Sequence, residues 1–333
     1  MPGPDKPRVF SGIQPDAPAH IGNYLGAIRN WAREQDRYDN IFCIVDLHSL
    51  TLPIEPSVLR EQRLVLAATL LASGIDPKKS ALFLQSDIPA HSELAWILEC
   101  FTPMGWLERM TQFKERSARL GTERVGTGLF TYPALMAADI LLYNTNVVPV
   151  GEDQRQHIEY TRDLARRINQ RFGDIFVIPE ALIKEAGARI MGLDDPEAKM
   201  SKSIAASTPG HAVMIIDSPD DIRRKFARAQ TDAEPAVRFP AGPGVTNLLE
   251  IYRTMRELGW EPVKEEFAGK TYSQLKQAVA DAVIEALRPV QERYREIRRD
   301  DAELRRTLKE SAERLAPIAN ATLTRVQEAV GLR

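Results

Sequence analysis

Short apolar runs alternate with amphipathic stretches through the first half of the chain. The apolar runs have the length of buried strands and lie at 8–13, 40–47, 80–86 and 147–150. Apolar residues at helical spacing predict helices at 23–36, 57–74 and 152–172. Strands and helices that alternate in this way predict an α/β fold with a Rossmann-like parallel sheet of the nucleotide-binding type.

The hydrophobic pattern changes further along the chain. Residues 91–146 are mostly helical, which predicts an insertion between two halves of the sheet. After Ser203 the strand signal fades and helical spacing dominates to the end. We therefore predict a Rossmann-like domain over 1–205 and a helical domain over 206–333, whose last helix is a candidate to return to the first domain.

Composition excludes several classes of protein. A net charge of −2 over 333 residues excludes a uniformly basic nucleic-acid binder but leaves room for a basic patch. No apolar run reaches the ~18 residues of a membrane span, and the N-terminus lacks the apolar core of a signal peptide, so we expect a cytoplasmic protein. Cys43 and Cys100 lack CxxC spacing, which argues against a metal site on cysteine, and both are predicted to be buried thiols.

The stretch His20-Ile21-Gly22-Asn23 follows the first predicted strand and opens the first predicted helix. Helix N-termini offer free N–H groups and partial positive charge, which attract phosphates. Gly22 would let a ligand approach the backbone, and His20 and Asn23 add side-chain donors. The alternative is that His20 only caps or packs the helix. Its position after the first strand of a parallel sheet favours a ligand site.

A second polar stretch, Lys199-Met200-Ser201-Lys202-Ser203, combines two ammonium groups with two hydroxyls. One interpretation is a solvated surface loop. The other is a mobile clamp that closes on a polyphosphate, because cations placed where negative charge develops stabilise the transition state.

The two stretches together resemble the H-I-G-H and K-M-S-K-S elements of class I aminoacyl-tRNA synthetases, in the right order and about 180 residues apart. Along nearly its whole length the chain resembles the bacterial-type tryptophanyl-tRNA synthetases. The resemblance is carried by segments at 10–15, 42–51, 108–117, 131–165, 187–193 and 199–203. Two departures from the family stand out: Asp16-Ala17 stands where Ser-Gly is usual, and Arg116 stands where lysine is common.

The resemblance implies a tryptophan–tRNA ligase, which forms tryptophanyl-adenylate from L-tryptophan and ATP and transfers the tryptophanyl group to tRNA(Trp). The implied catalytic residues are His20, Asn23, Lys114, Lys199, Ser201 and Lys202. The implied ATP contacts are Gln14, Pro15, Asp16, Gly22, Asn23, Gly151, Glu152, Asp153, Ile190, Met191, Lys199, Met200, Ser201, Lys202 and Ser203. Mg²⁺ is expected to arrive with ATP, and no metal site made by the protein alone is predicted.

The tryptophan pocket implied by the resemblance is formed by Phe10, Gly12, His48, Tyr132, Met136, Asp139, Val148, Val150 and Gln154. Indole is apolar with a single N–H donor, so its pocket needs apolar walls and one acceptor. Asp139 lies in the apolar run "LMAADILL" and fits that acceptor, the alternative being that it pairs with a structural donor.

The resemblance also implies a homodimer, formed through the helical insertion, and a helical domain that reads tRNA. Arginines at 223–228 and 288–299 are candidate contacts to the tRNA backbone, although they equally fit a salt-bridged surface. Three rivals stay open: a tyrosyl enzyme, an inactive RNA-binding paralogue and a small-molecule nucleotidyltransferase. "MAADILL" and "GARIMGL" favour tryptophan over tyrosine, the intact phosphate motifs speak against the paralogue, and the nucleotidyltransferase would not need the helical domain.

Overall fold

Five parallel strands form one sheet in a computed structural model, which describes residues 6–111, 113–114, 126–151, 154–183, 189–234 and 236–333. The strands are β1 (Arg8–Ile13), β2 (Asp39–Ile44), β3 (Ala81–Leu84), β4 (Val147–Val150) and β5 (Glu180–Ile183). Their order across the sheet is β3-β2-β1-β4-β5. The chain therefore builds outward from β1 in one direction and then in the other, which confirms the predicted α/β class and leaves a crevice at the carboxyl ends of β1 and β4.

The sequence pattern predicted the first four strands but missed β5. β2 ends at Ile44, three residues earlier than predicted, because a helical turn begins at Asp46. Within the described residues, β5 pairs only with β4, from Val147↔Glu180 to Val150↔Ile183. An edge strand of four residues that begins with glutamate carries neither a long apolar run nor a clear alternation.

Helices surround the sheet and make up the C-terminal part of the chain. In chain order they are α1 (Ile21–Asn23), α2 (Arg29–Arg33), α3 (Asp46–Ser49), α4 (Pro56–Ala72), α5 (Ala90–Phe101), α6 (Met104–Glu108), α7 (Thr127–Leu141), α8 (Arg155–Phe172), α9 (Lys202–Ser207), α10 (Pro219–Ala227), α11 (Pro243–Arg256), α12 (Trp260–Phe267), α13 (Tyr272–Ile297) and α14 (Asp301–Ala329). A π-helical turn, Tyr24–Ile28, joins α1 to α2, so the predicted first helix begins at Ile21.

Two hydrophobic clusters cover the two faces of the sheet. One joins Phe42 and Leu82 of the sheet to α4 and to α10, α11 and α13. The other joins Phe10 and Phe83 to α5, α7, α8 and the second half of α14. The last helix thus packs back on the sheet, beside β3 and α5. The division of the chain at residue 205 stays a prediction.

The two cysteines differ in environment. Cys43 on β2 is buried, and burial raises the pKa of its thiol well above the ordinary value. Cys100 is exposed near the end of α5, so the prediction of a buried thiol was wrong there. Its neighbours Leu98 and Phe101 are more buried, and the helix turns Cys100 outward. Among the described helices, none combines the length and apolarity needed to cross a membrane.

Candidate active site

A cavity of about 320 Å³ opens at the switch point between β1 and β4, which is the size range of small-molecule sites. The cavity is lined by all nine residues that the resemblance assigns to the amino-acid pocket: Phe10, Gly12, His48, Tyr132, Met136, Asp139, Val148, Val150 and Gln154. Gln14 and Gly151, two predicted ATP contacts, lie in the same lining. The fold thus brings β1, α3, α7 and β4 together around one space.

The walls of this cavity are largely apolar. Phe10, Met136 and Val148 contribute aromatic and aliphatic surface from three different elements. A Cβ at Gly12 would approach Cγ1 of Val45 to 3.1 Å, so a side chain there would crowd this wall. A slot of this kind suits a flat apolar ring that needs few polar contacts.

Asp139 supplies a buried carboxylate at the cavity wall and is only 1% exposed. Gln85 Nε2 donates to its Oδ1 at 2.7 Å, His91 Nδ1 lies 2.7 Å from the same oxygen, and His48 Nε2 lies 3.0 Å from Oδ2. Burial alone would raise the pKa of Asp139, but hydrogen bonds from His48 and His91 outweigh it and leave the pKa below its ordinary value. The carboxylate is therefore ionised and firmly oriented.

These contacts are compatible with both interpretations of Asp139, as an acceptor for a ligand and as the partner of structural donors. Structural donors do hold it, yet a carboxylate accepts about four hydrogen bonds, and the three donors leave room for one more from the cavity. Gln85 and His91 were missed from the sequence. The one available signal was a polar residue directly after β3, where ligand-site residues of parallel sheets are placed.

A second layer of hydrogen bonds fixes the donors themselves. Tyr143 is buried, which raises the pKa of its hydroxyl well above the ordinary value, so it keeps its proton. Its Oη lies 2.7 Å from His91 Nε2, which leaves Nδ1 of His91 to donate to Asp139. Gln14 Nε2 donates to the carbonyl of His48 at 3.1 Å. The hydrogen bonds from Tyr143 through His91 thus orient the Asp139 carboxylate.

The HIGN segment (residues 20–23) forms a capped helix start. His20 Nδ1 accepts from the backbone N–H of Asn23 at 3.2 Å, and Asn23 Oδ1 accepts from the backbone N–H of His20 at 3.1 Å. Because Nδ1 is an acceptor, a neutral His20 carries its proton on Nε2. A Cβ on Gly22 would lie 2.9 Å from His20 Nδ1, so this position requires glycine. His20 therefore caps the helix and keeps one N–H donor for a ligand.

The KMSKS segment (residues 199–203) is anchored by its second residue. Met200 is 2% exposed in the hydrophobic core, and its N–H donates to the carbonyl of Ile190 at 3.1 Å. Ile190 is equally buried, so at these two predicted ATP contacts only backbone can face a nucleotide. Lys199 and Ser203 are exposed. Ser201 is the N-cap of α9 and accepts from the N–H of Ile204 at 3.5 Å.

Lys202 connects the KMSKS segment to the first loop (residues 14–20), which follows β1. Its Nζ donates to the carbonyl of Gln14 at 3.1 Å and to Oδ1 of Asp16 at 2.9 Å. Two predicted ATP contacts thus meet one predicted catalytic cation, although they are about 186 residues apart in sequence. Pro15 lies buried between them.

Residues 211–215 support both motifs and were missed from the sequence. Val213 accepts from the N–H of Ile21 at 2.9 Å, beside the HIGN segment. His211 is fully buried, with Nδ1 2.6 Å from Asp194 and Nε2 3.2 Å from the carbonyl of Lys199. Its ring fills the space over Gly192, where a Cβ would lie only 2.2 Å away. No spacing in the sequence points to these contacts.

Asn247 of α11, also missed, brackets the backbone predicted to frame adenine. Its Oδ1 accepts from the N–H of Met191 at 2.9 Å, and its Nδ2 donates to the carbonyl of Met191 at 3.1 Å. Lys114 is exposed after α6, and its role stays a prediction. Arg116, Glu152 and Asp153 lie outside the described residues, so the predictions on them stay untested.

The environment of His20 predicts a pH dependence of stability. Burial, with the charges of Lys202, Lys199 and His211, lowers the pKa of His20 from 6.5 to about 3. Below pH ~6.5 His20 of the unfolded chain binds a proton that the folded protein excludes, and this favours unfolding. The contribution of the neutral His20 to the free energy of unfolding is therefore fully present above pH ~6.5 and is lost as the pH falls toward 3. Between pH 7.5 and 5 the loss is about 2 kcal/mol.

Urea unfolding of the wild type and of His20→Asn at these two pH values measures this effect. Asparagine retains an N-cap acceptor but does not titrate. The free energy of unfolding of the wild type, relative to that of His20→Asn, should be about 2 kcal/mol lower at pH 5 than at pH 7.5. Equal pH dependence in both proteins would show that His20 is not held neutral.

The chain is similar to known proteins over nearly its whole length. A family model described as "tRNA synthetases class I (W and Y)" matches residues 4–288. The tryptophan–tRNA ligase of Wolinella succinogenes is 52% identical over 328 residues, 98% of this chain and 99% of that protein. The tryptophan–tRNA ligase of Caldanaerobacter subterraneus is 52% identical over 327 residues, 98% of each chain.

Solved structures give the same result. The tryptophanyl-tRNA synthetase of Campylobacter jejuni, complexed with ADP and tryptophan, has a TM-score of 0.85 and 34% identity over 97% of this chain and 99% of that chain. A tyrosyl-tRNA synthetase of Aeropyrum pernix, with 21% identity, 92% of this chain and 90% of that chain covered, and a TM-score of 0.65, shares the fold. The family match and the curated relatives lead to one conclusion: the chain belongs to the class I tRNA synthetases of the tryptophan and tyrosine family.

Proposed function

We propose that the chain is a tryptophan–tRNA ligase, which activates L-tryptophan with ATP and transfers it to tRNA(Trp). The observation that carries this proposal is the cavity between β1 and β4, whose apolar walls surround one oriented, ionised acceptor, Asp139. The full-length similarity to curated tryptophan–tRNA ligases supports the same substrate.

In the first step the tryptophan carboxylate attacks the α-phosphorus of ATP, and pyrophosphate leaves. The protein contributes position and charge, because this reaction needs little covalent help. Lys199 and Lys202 supply cations for the developing charge on pyrophosphate, and His20 donates from Nε2 while remaining neutral. Gln14 lies between the cavity and Lys202, so the two substrates would meet at the carboxyl end of β1.

Mg²⁺ is proposed to enter with ATP. Within the described part of the chain, no group of three or more histidine, cysteine, aspartate or glutamate side chains could hold a metal ion. Mg²⁺ commonly keeps several waters and binds through substrate phosphates. Asn247 and His211 would serve the nucleotide indirectly, since they fix the backbone of residues 191–192 and the carbonyl of Lys199.

Transfer to tRNA and dimer formation are proposed for the helical surfaces. Arg223 and Arg224 of α10 are exposed, but each faces a neighbouring carboxylate, so tRNA phosphates would have to compete with these ion pairs. Trp96 on α5 and Met104 on α6 are 67% and 63% exposed. Large exposed apolar side chains on adjacent helices favour a partner surface, and a second copy of the chain is the proposed occupant.

Amino-acid-dependent exchange of pyrophosphate into ATP tests the proposed function. Tryptophan should support exchange at least about 10³-fold better than tyrosine by kcat/KM, because the smaller ring leaves the slot underfilled and places its hydroxyl differently. The assay needs no tRNA. Exchange with tyrosine at a rate equal to that with tryptophan, or no exchange with tryptophan, would contradict the proposal.

A further inference from the structure

We propose that Asp16 holds the Lys202 ammonium in the nucleotide-free protein, and that the phosphates of ATP compete with its carboxylate for this ammonium. The inference rests on the proposed function, in which Lys202 binds phosphate. It assigns Asp16 a role different from the direct ATP contact that the resemblance implies.

The geometry favours a specific pair over a chance surface contact. The Lys202 side chain is 15% exposed and that of Asp16 is 39% exposed, so the ammonium lies mostly inside the site. Its Nζ has two acceptors in the first loop, Oδ1 of Asp16 at 2.9 Å and the carbonyl of Gln14 at 3.1 Å. Together they fix the direction of the ammonium from two sides.

The charge of Asp16 is otherwise difficult to reconcile with the site. Lys199 and Lys202 attract phosphate, whereas a carboxylate beside Lys202 repels it. An uncharged side chain at this position would not oppose phosphate binding. Pairing with Lys202 removes the conflict, because the carboxylate then neutralises a cation that would otherwise be poorly compensated.

Competition of this kind has a defined kinetic consequence. ATP must displace the carboxylate when it binds, but in the transition state Lys202 contacts phosphate whether or not Asp16 is present. Neutralising Asp16 should therefore lower the KM for ATP and leave kcat nearly unchanged. Partly exposed ion pairs are weak, so the expected decrease in KM is about two- to fivefold.

The experiment uses the full-length protein and three variants. Asp16→Asn removes the charge at constant size, and Asp16→Glu restores it. Asp36→Asn is the matched control, because Asp36 forms an exposed pair with Lys79 at 2.8 Å that belongs to neither motif. ATP-dependent exchange with tryptophan gives KM and kcat. Acetylation of lysines in nucleotide-free protein, followed by mass spectrometry, gives the reactivity of Lys202 with the exposed Lys199 as an internal reference.

Asp16→Asn should lower the KM for ATP, leave kcat within about twofold, and raise the acetylation of Lys202 relative to Lys199. Asp16→Glu and Asp36→Asn should resemble the wild type in both assays. A higher KM for ATP or a greater Mg²⁺ requirement in Asp16→Asn would overturn the inference, since either would show a direct ligand. Unchanged Lys202 reactivity would overturn it as well. Acetylation needs no activity, so a wild type without tryptophan-dependent exchange would refute the proposed function separately.

Discussion

Lys202→Ala is expected to slow adenylate formation by about 10²–10³-fold, while tryptophan binding changes little. The loss is that of one preorganised donor directed at charge which develops on the leaving pyrophosphate. The ammonium already lies over the first loop, beside Gln14 and Asp16, so it needs little movement to reach phosphates bound there. Pre-steady-state pyrophosphate release measures the chemical step directly.

Two comparisons make this test specific. Lys264→Ala removes a partly exposed lysine of α12 that pairs with Glu261 in the same helix, and it should not alter the rate. Equilibrium binding of tryptophan to Lys202→Ala shows whether the cavity is intact. A rate loss below about threefold in Lys202→Ala would remove Lys202 from the catalytic residues.

Local patterns in the sequence predicted much of the fold. β1 and β4 are short runs rich in apolar and β-branched residues. Only a few folds accommodate such strands in alternation with amphipathic helices. β5 was missed because its pairing with β4, rather than its composition, makes it a strand. The return of α14 to the sheet is likewise a matter of tertiary packing, since amphipathic spacing does not specify a partner.

Sequence predicted which residues line the candidate site, but not the contacts that hold them. The residues that the resemblance assigns to the amino-acid pocket line one cavity, while their roles stay predictions. Contacts that hold those residues were invisible, as Gln85 and His91 reach Asp139 across 54 and 48 positions of sequence. Asp16 shows the same limit: its partner Lys202 became apparent only when the fold brought two distant loops together.

Asp139→Ala is expected to affect both stability and substrate choice. It leaves Gln85, His91 and His48 without their buried acceptor, and loss of one member of such a buried set typically costs about 3–5 kcal/mol. Thermal unfolding should report this loss. Asp139→Asn retains the size and one acceptor oxygen, so it should be less destabilised.

The remaining acceptor site of Asp139 is proposed to bind the indole N–H. A hydrogen bond to a charged group contributes about 1.5–3 kcal/mol, which corresponds to about ten- to a hundredfold in kcat/KM. Neither variant should become a tyrosine enzyme, because the phenol hydroxyl can also donate and the apolar slot decides the ring size. ATP binding should be nearly unchanged.

The direct measurement compares tryptophan with its analogue in which sulfur replaces the indole N–H, by kcat/KM for pyrophosphate exchange. The ratio of the two kcat/KM values within one protein cancels differences in the folded fraction. The matched control is Met136→Leu, because Met136 lies one helical turn from Asp139 and lines the same cavity. Wild type and Met136→Leu should prefer tryptophan by about ten- to a hundredfold, and Asp139→Ala should lose most of that preference. Equal discrimination in the wild type and Asp139→Ala would contradict the assignment of this cavity as the tryptophan site.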